Sequence, residues 1–320
     1  MPRTSKARQG AVRKGKRLRV TPQCPCPVCQ SDSWCLVAPD GSDCLCMRVK
    51  SDKPVTLSSG EVGYIHKLTD AIMPAQWVDR PEEKRLTDSE LHARFSESCS
   101  EWRCGPGRIG ELAGLLKVSP VALAWLGVGW DGQAWTMPER NHLGQIIGVN
   151  RRFEDGKKVC VIGSRRGLTY ATHWYTALGP IFVVEGASDV AAGLTLGLCV
   201  VGRPSNTGGG KYLGSLLKPH NRRMVVLAER DAKDRETLPE CHDPECHCCC
   251  RCFPGKFGAV ETANKLKMAL WRLIDWSFCP DGAKDLRAWL NSRGANPMNE
   301  IALERIAASL KRRTRNVIHS

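Results

Sequence analysis

The chain has 320 residues, of which 42% are hydrophobic and 25% charged, values ordinary for a globular protein and sufficient for two or three domains. No apolar run approaches the ~18–20 residues that would cross a bilayer, and the basic N-terminal stretch leads into neither an apolar segment nor a small-residue cleavage site. The composition therefore excludes a membrane span, does not support a secretory signal, and predicts a cytoplasmic protein.

The net charge of +14 is concentrated at the ends: residues 1–20 carry eight basic side chains and no acid, and Lys311, Arg312, Arg313 and Arg315 lie near the other terminus. The body between them is balanced, with 35 basic and 33 acidic residues. Residues 1–22 read as a disordered basic tail suited to salt-sensitive, sequence-independent attachment to nucleic acid.

Residues 23–66 form a cysteine-rich module. Of 17 cysteines, six lie between Cys24 and Cys46 and six between Cys241 and Cys252, a clustering that favours thiolate metal sites in a reducing compartment over a disulfide framework. Cys26-Pro27-Val28-Cys29 has the spacing that lets two thiolates reach one Zn²⁺. The remaining ligands come from Cys35, Cys44 and Cys46, with Cys24 as a competitor; the preferred set is Cys26, Cys29, Cys35 and Cys46. Strands at Trp34–Val37 and Cys44–Arg48, joined by Pro39-Asp40-Gly41-Ser42, predict a zinc-ribbon-like hairpin whose Trp34 and Arg48 are suited to a single-stranded template.

Residues 67–100, with Pro74, Pro81 and many charges, read as a linker containing a helix near Asp88–Phe95. In 101–178, helices are expected at Ile109–Leu116 and Pro120–Leu126 and strands at Ala134–Pro138 and Gln145–Val149. From Gly179 short apolar strands (181–184, 198–201, 224–228, 273–278) alternate with helices (187–196, 211–217, 259–271), which predicts an α/β domain over 179–291 with a parallel sheet covered on both faces. A cysteine-rich insertion, 234–256, interrupts it and offers Cys241, Cys246, Cys249 and Cys252 as a possible second zinc set. Residues 292–320 contain a helix with Asn296 as N-cap, Pro297 at its first position and Ile301, Ile306 and Leu310 on one face, followed by the basic tail.

Glu185 directly follows the first strand of the α/β unit, and Glu229 and Asp231 directly follow the third. Carboxyl ends of parallel strands line the ligand crevice of such folds, so these acids can converge, with Asp189 one helical turn beyond Glu185. Clustered carboxylates repel unless a cation neutralises them, and hard oxygen ligands suit Mg²⁺ or Mn²⁺, held in this reading by Glu185, Glu229 and Asp231. Arg151, Arg152, Lys157, Lys158, Arg165 and Arg166 put six cations within 16 residues, a charge density suited to phosphate.

Phe182-Val183-Val184-Glu185-Gly186-Ala187-Ser188-Asp189 resembles the first motif of the TOPRIM family, and Glu229-Arg230-Asp231 resembles its Asp-x-Asp motif with Glu in the first place. The stretch 144–168 resembles the basic subdomain that precedes TOPRIM in bacterial and phage primases, and Cys279-Pro280-Asp281-Gly282-Ala283-Lys284-Asp285 resembles the primase segment that supplies a further acid, here Asp285. The resemblance implies a TOPRIM-type sheet preceded by a small α+β basic subdomain and a zinc module. It also implies Mg²⁺-dependent synthesis of short primers on single-stranded DNA from nucleoside triphosphates. Glu185, Glu229, Asp231, Asp189 and Asp285 would be catalytic, a separate helicase would be a partner, and the setting would be nucleoid-associated. A TOPRIM nuclease and a non-catalytic nucleic-acid-binding adaptor of a mobile element are the alternatives.

Overall fold

The computed structural model describes residues 17–39, 41–57, 62–68, 86–231, 253–294 and 300–313, which fall into two units, Met1–Arg85 and Leu86–Ser320. Most of the N-terminal tail, the second cysteine cluster with Cys241, Cys246, Cys249 and Cys252, and the Asn296–Pro297 helix start lie outside the described residues.

The first unit is an antiparallel sheet of β1 (Leu18–Arg19), β2 (Leu36–Val37), β3 (Asp43–Cys46), β4 (Pro54–Thr56) and β5 (Val62–Lys67) in the order β1-β2-β3-β5-β4. The expected hairpin is present, with Leu36 opposite Leu45 and Val37 opposite Cys44, and Gly41 supplies the left-handed turn residue at φ 69°. Its strands are shorter than expected, because Trp34 takes φ 70° and the amides after Cys46 turn back onto sulfur. The core consists of Val20, Val37 and the thiols of Cys24, Cys26, Cys35, Cys44 and Cys46. So little apolar volume does not offset the entropy of ordering the chain without a cross-link.

The second unit begins with α1 (Asp88–Glu101), started by a capping box in which Thr87 and Glu90 satisfy each other's amides. This helix runs past the span expected for it. Leu91 and Phe95, at 2% and 1% exposure, pack it into the fold; Pro74, Pro81 and most of the charges that give 67–100 its linker composition precede Leu86. Next come α2 (Pro106–Leu116), α3 (Pro120–Leu126) and a four-stranded antiparallel sheet, β6 (Gly129–Trp130), β7 (Trp135–Arg140), β8 (Ile146–Arg152) and β9 (Lys158–Cys160) in sequential order.

A parallel sheet follows in the order β11-β10-β12-β13, from β10 (Ile181–Glu185), α4 (Gly186–Thr195), β11 (Cys199–Arg203), α5 (Gly210–Leu217), β12 (Met224–Ala228), α6 (Pro254–Leu270) and β13 (Asp275–Phe278). Alternate residues of each central strand feed opposite cores. Phe182, Val184, Val200 and Val225 join the face covered by α4 and α7 (Leu286–Ser292), whereas Ile181, Val183, Val201 and Val226 join the face covered by α5 and α6. Helix α6 starts earlier than expected, so Pro254–Lys256 belong to its first turn and not to the cysteine-rich insertion. The last helix, α8 (Glu300–Arg313), buries Ala307 and Leu310; the side chains of Ile301 and Ile306 are outside the described set. Among the described residues no single helix is long and apolar enough to cross a membrane.

Candidate functional site

The parallel sheet delivers carboxylates to its C-terminal edge. Glu185 ends β10, and Gly186, at φ 77° with nothing within 4 Å of a notional Cβ, makes the sharp turn that starts α4. Glu229 and Asp231 follow β12. Asp231 Oδ1 accepts the Gly255 amide at 2.8 Å, which docks the start of α6 on the acidic loop. Asp285 is the N-cap of α7, with Oδ1 accepting the Ala288 amide at 2.7 Å. One oxygen each from Asp189, Glu229 and Asp285 lies within 4.8 Å of the others. Glu229, common to this group and to the expected Mg²⁺ set, is thus joined by the two acids expected to assist, and Glu185 and Asp231 flank it.

Burial and mutual repulsion dominate the electrostatics of this group. Burial, then Asp285 and Glu229, hold the Asp189 carboxyl well above the ordinary range, although the Arg287 amide donates to its Oδ1 at 3.0 Å. Burial, then Glu185 and Asp285, push Glu229 up to about 7. Burial also raises Glu185, against the pull of Arg203. The converging oxygens of Asp189, Glu229 and Asp285 fit a hard divalent ion, which would relieve the burial and repulsion that raise Asp189 and Glu229.

The six predicted cations divide. Arg151 pairs with Asp131 at 2.6 Å, Arg165 with Asp88, and Arg166 with the buried Glu139 at 2.9 Å. Lys157 is exposed at the β8–β9 turn. Lys158 lies towards the acids, and Arg152 lies beside Lys158 and Arg287. Although Lys158 is exposed as a residue, desolvation of its ammonium and then Arg152 and Arg287 lower its pKa, while Asp189 and Glu229 oppose the fall. Desolvation and then Arg287 likewise lower Arg152. A cationic group of Arg152, Lys158 and Arg287 therefore adjoins the acidic one, and Arg287 Nε is buried without a hydrogen-bond partner among the described residues.

In the first unit, the Sγ atoms of Cys26, Cys29, Cys35 and Cys46 all lie within 4.8 Å of one another. The Met47 amide donates to Cys35 Sγ, and the Arg48 and Val49 amides to Cys46 Sγ, at 3.3–3.4 Å, contacts that favour thiolate. Burial pushes Cys26 and Cys35 up to about 12; against a smaller burial penalty, the Ser31 amide and the neighbouring thiols bring Cys29 down to about 7. Four sulfurs so arranged fit Zn²⁺. Cys44 Sγ lies 3.4 Å from Cys26 Sγ, outside the four. Trp34 is 63% exposed, and Arg48 donates to the Ser33 carbonyl at 2.8 Å.

Sequence reasoning passes over Arg287 and over the pairing of Arg203 with Glu185. Arg287 lies two positions beyond Asp285, close enough in sequence to be sought. Arg203 ends β11 in register with Glu185, with its Nη2 3.7 Å from Glu185 Oε2, a signal visible only once those strands are known to be neighbours.

No family model and no curated protein matches the sequence. Solved structures similar to this chain are primase fragments. The E. coli primase catalytic core has a TM-score of 0.45 at 14% identity, covering 68% of this chain and 80% of its own. The zinc-binding and RNA polymerase domains of the Aquifex aeolicus primase give 0.47 at 13% identity, over 73% and 64%. The primase fragment of the bacteriophage T7 primase-helicase protein gives 0.39 at 13% identity, over 89% and 100%.

Proposed function

We propose that this chain is a primase-like nucleotidyltransferase that makes short primers on single-stranded DNA. The observation that carries the reading is the opposition, at the C-terminal edge of a parallel sheet, of the Asp189, Glu229 and Asp285 carboxylates to the cations of Arg152, Lys158 and Arg287. The TOPRIM-like order of Glu185, Asp189, Glu229 and Asp231 supports it.

In this proposal the three converging carboxylates, flanked by Asp231, hold Mg²⁺ or Mn²⁺. A bound divalent ion supplies neutralisation of phosphate charge and acidifies a coordinated hydroxyl. Arg152, Lys158 and Arg287 grip the triphosphate and orient it for in-line attack, in which the 3′-oxygen bonds to the α-phosphorus as the bond to the departing pyrophosphate breaks. Glu185, whose proton affinity burial raises, accepts the proton of the attacking 3′-hydroxyl. The Cys26, Cys29, Cys35 and Cys46 thiolates bind Zn²⁺ and make a stable template-binding module of the first unit, with Trp34 available for base stacking. Domain limits follow the same division, except that the expected tail of 1–22 is cut short because Leu18–Arg19 pairs with β2 and Val20 is buried: a zinc module from about Leu18, a basic subdomain and TOPRIM-type domain to 291, and a C-terminal helix with its basic tail. A separate helicase would supply unwinding, in a nucleoid-associated setting.

The test is primer synthesis by the zinc-loaded full chain with Mn²⁺, nucleoside triphosphates and varied single-stranded templates, resolved on sequencing gels. Oligonucleotide products that Glu185→Gln and Asp285→Asn abolish are expected. No product on any template, or product indifferent to Glu185→Gln, would sink the reading. Template cutting without nucleotides would identify a nuclease instead, and DNA binding without chemistry an adaptor.

A further inference from the structure

Arg203 has no role in the chemistry above, yet it is among the largest fully buried side chains, at 0% exposure. Its Nη1 donates to the Asn206 carbonyl and, at 3.1 Å, to Thr262 Oγ1, so its position is fixed from the loop after β11 and from α6. Among the described residues its Nε and Nη2 have no hydrogen-bond partner. A guanidinium in such a place persists only where negative charge compensates it, and the carboxylates acting on it are Glu185, Glu229 and Asp231. Register supplies the first of these: Glu185 and Arg203 are the last residues of neighbouring parallel strands.

The acidic edge thus has two sides. On one, Asp189, Glu229 and Asp285 bring oxygens within 4.8 Å of one another. On the other, Glu185 faces a permanent cation 3.7 Å away, and a divalent ion placed there would sit against a guanidinium. We infer that Arg203 stands in for a second metal, so that the edge binds a single divalent cation at Asp189, Glu229 and Asp285 and keeps Glu185 free of metal. Arg203 is on this account a positioning residue. It fixes the Glu185 carboxylate, neutralises one charge of the acidic edge and leaves one open place for a cation.

The inference rests on reading the acidic group as a divalent-cation site, and its test is the stoichiometry of binding. Mn²⁺ is titrated into the zinc-loaded full chain and counted by electron paramagnetic resonance, with circular dichroism confirming the fold of each variant. The native chain should bind one Mn²⁺. Asp285→Asn should weaken it about tenfold or more. Glu185→Gln should keep one ion with affinity within about threefold of native, Arg203→Lys should keep one ion, and Arg203→Gln should admit a second. Two ions on the native chain, loss of Mn²⁺ in Glu185→Gln, or a folded Arg203→Gln that still binds one would each overturn the inference. If Arg203→Gln does not fold, the Glu185→Gln arm decides. One Mn²⁺ without primer synthesis would defeat the proposed function and spare this inference; primer synthesis with two ions would do the reverse.

Discussion

Replacing Glu229 by Gln should make the metal-free protein more stable at alkaline pH while disabling the site. The carboxyl is pushed from its ordinary 4.5 to about 7, first by burial and then by Glu185 and Asp285. Holding it ionised therefore costs the folded chain about 3 kcal/mol. Below pH 4.5 it is protonated in both folded and unfolded chains, and the cost vanishes. Between 4.5 and 7 only the unfolded chain ionises fully, so stability declines as pH rises; above 7 the whole cost applies. At roughly 2–4 °C per kcal/mol for a unit of this size, Glu229→Gln should raise Tm by about 6–12 °C at pH 8 and by little at pH 4.5. The assay is calorimetry of the zinc-loaded full chain in buffer freed of Mg²⁺ and Mn²⁺. Added Mg²⁺ should raise the native Tm at pH 8 and leave that of the variant nearly unmoved. A variant destabilised equally at both pH values would refute the reasoning, because Glu229 would then be a structural hydrogen-bonding residue and not a strained ligand.

Other expectations follow from the same geometry. Cys35→Ser should lose one zinc per chain by plasma mass spectrometry, whereas Cys44→Ser, which alters a thiol outside the group of four, should retain it. Arg166→Ala strands Glu139, whose side chain is 3% exposed, and should destabilise by about 1–3 kcal/mol in urea, the lower end reflecting a half-exposed arginine; unchanged stability with weakened template binding would make Arg166 a nucleic-acid contact. Gly255→Ala would drive a Cβ to 2.6 Å from the Glu229 carbonyl and 2.7 Å from Asp231 Oδ1, so Mn²⁺ affinity and stability should both fall; a variant indistinguishable from native would mean that the acidic loop yields freely.

The α/β domain is legible because its strands are continuous apolar runs, and 181–184 ends on the very carboxylate that the sheet turns outward. Both faces of that run are buried, so periodicity alone distinguishes neither face, yet length and flanking glycines suffice to place it. Arg203 is harder to see. The apolar run of its strand stops at Val201, two residues short of the true end, and the pairing of Arg203 with Glu185 depends on strand order. The cation count misleads for a related reason. Asp131, Asp88 and Glu139, which engage Arg151, Arg165 and Arg166, are supplied by other elements, and a local tally of charge does not contain them. The thiol set is more transparent, since a two-residue spacing and a hairpin confine four sulfurs to one small volume; what spacing leaves open is Cys44 against Cys46, which the β3 geometry separates.

The Arg287 amide that reaches Asp189 joins residues 98 positions apart, and Asp285 arrives on the same helix. The central strands are all made by Phe278, but the third oxygen of the acidic group is not in place until α7 caps itself on Asp285 and docks on α4. During synthesis, then, a sheet with an incomplete ligand set precedes the finished one by the length of a single short helix. On the proposed reading the cation site is completed only when α7 docks on α4, so a nascent chain stalled before that helix would contain all three acids without yet holding their oxygens together.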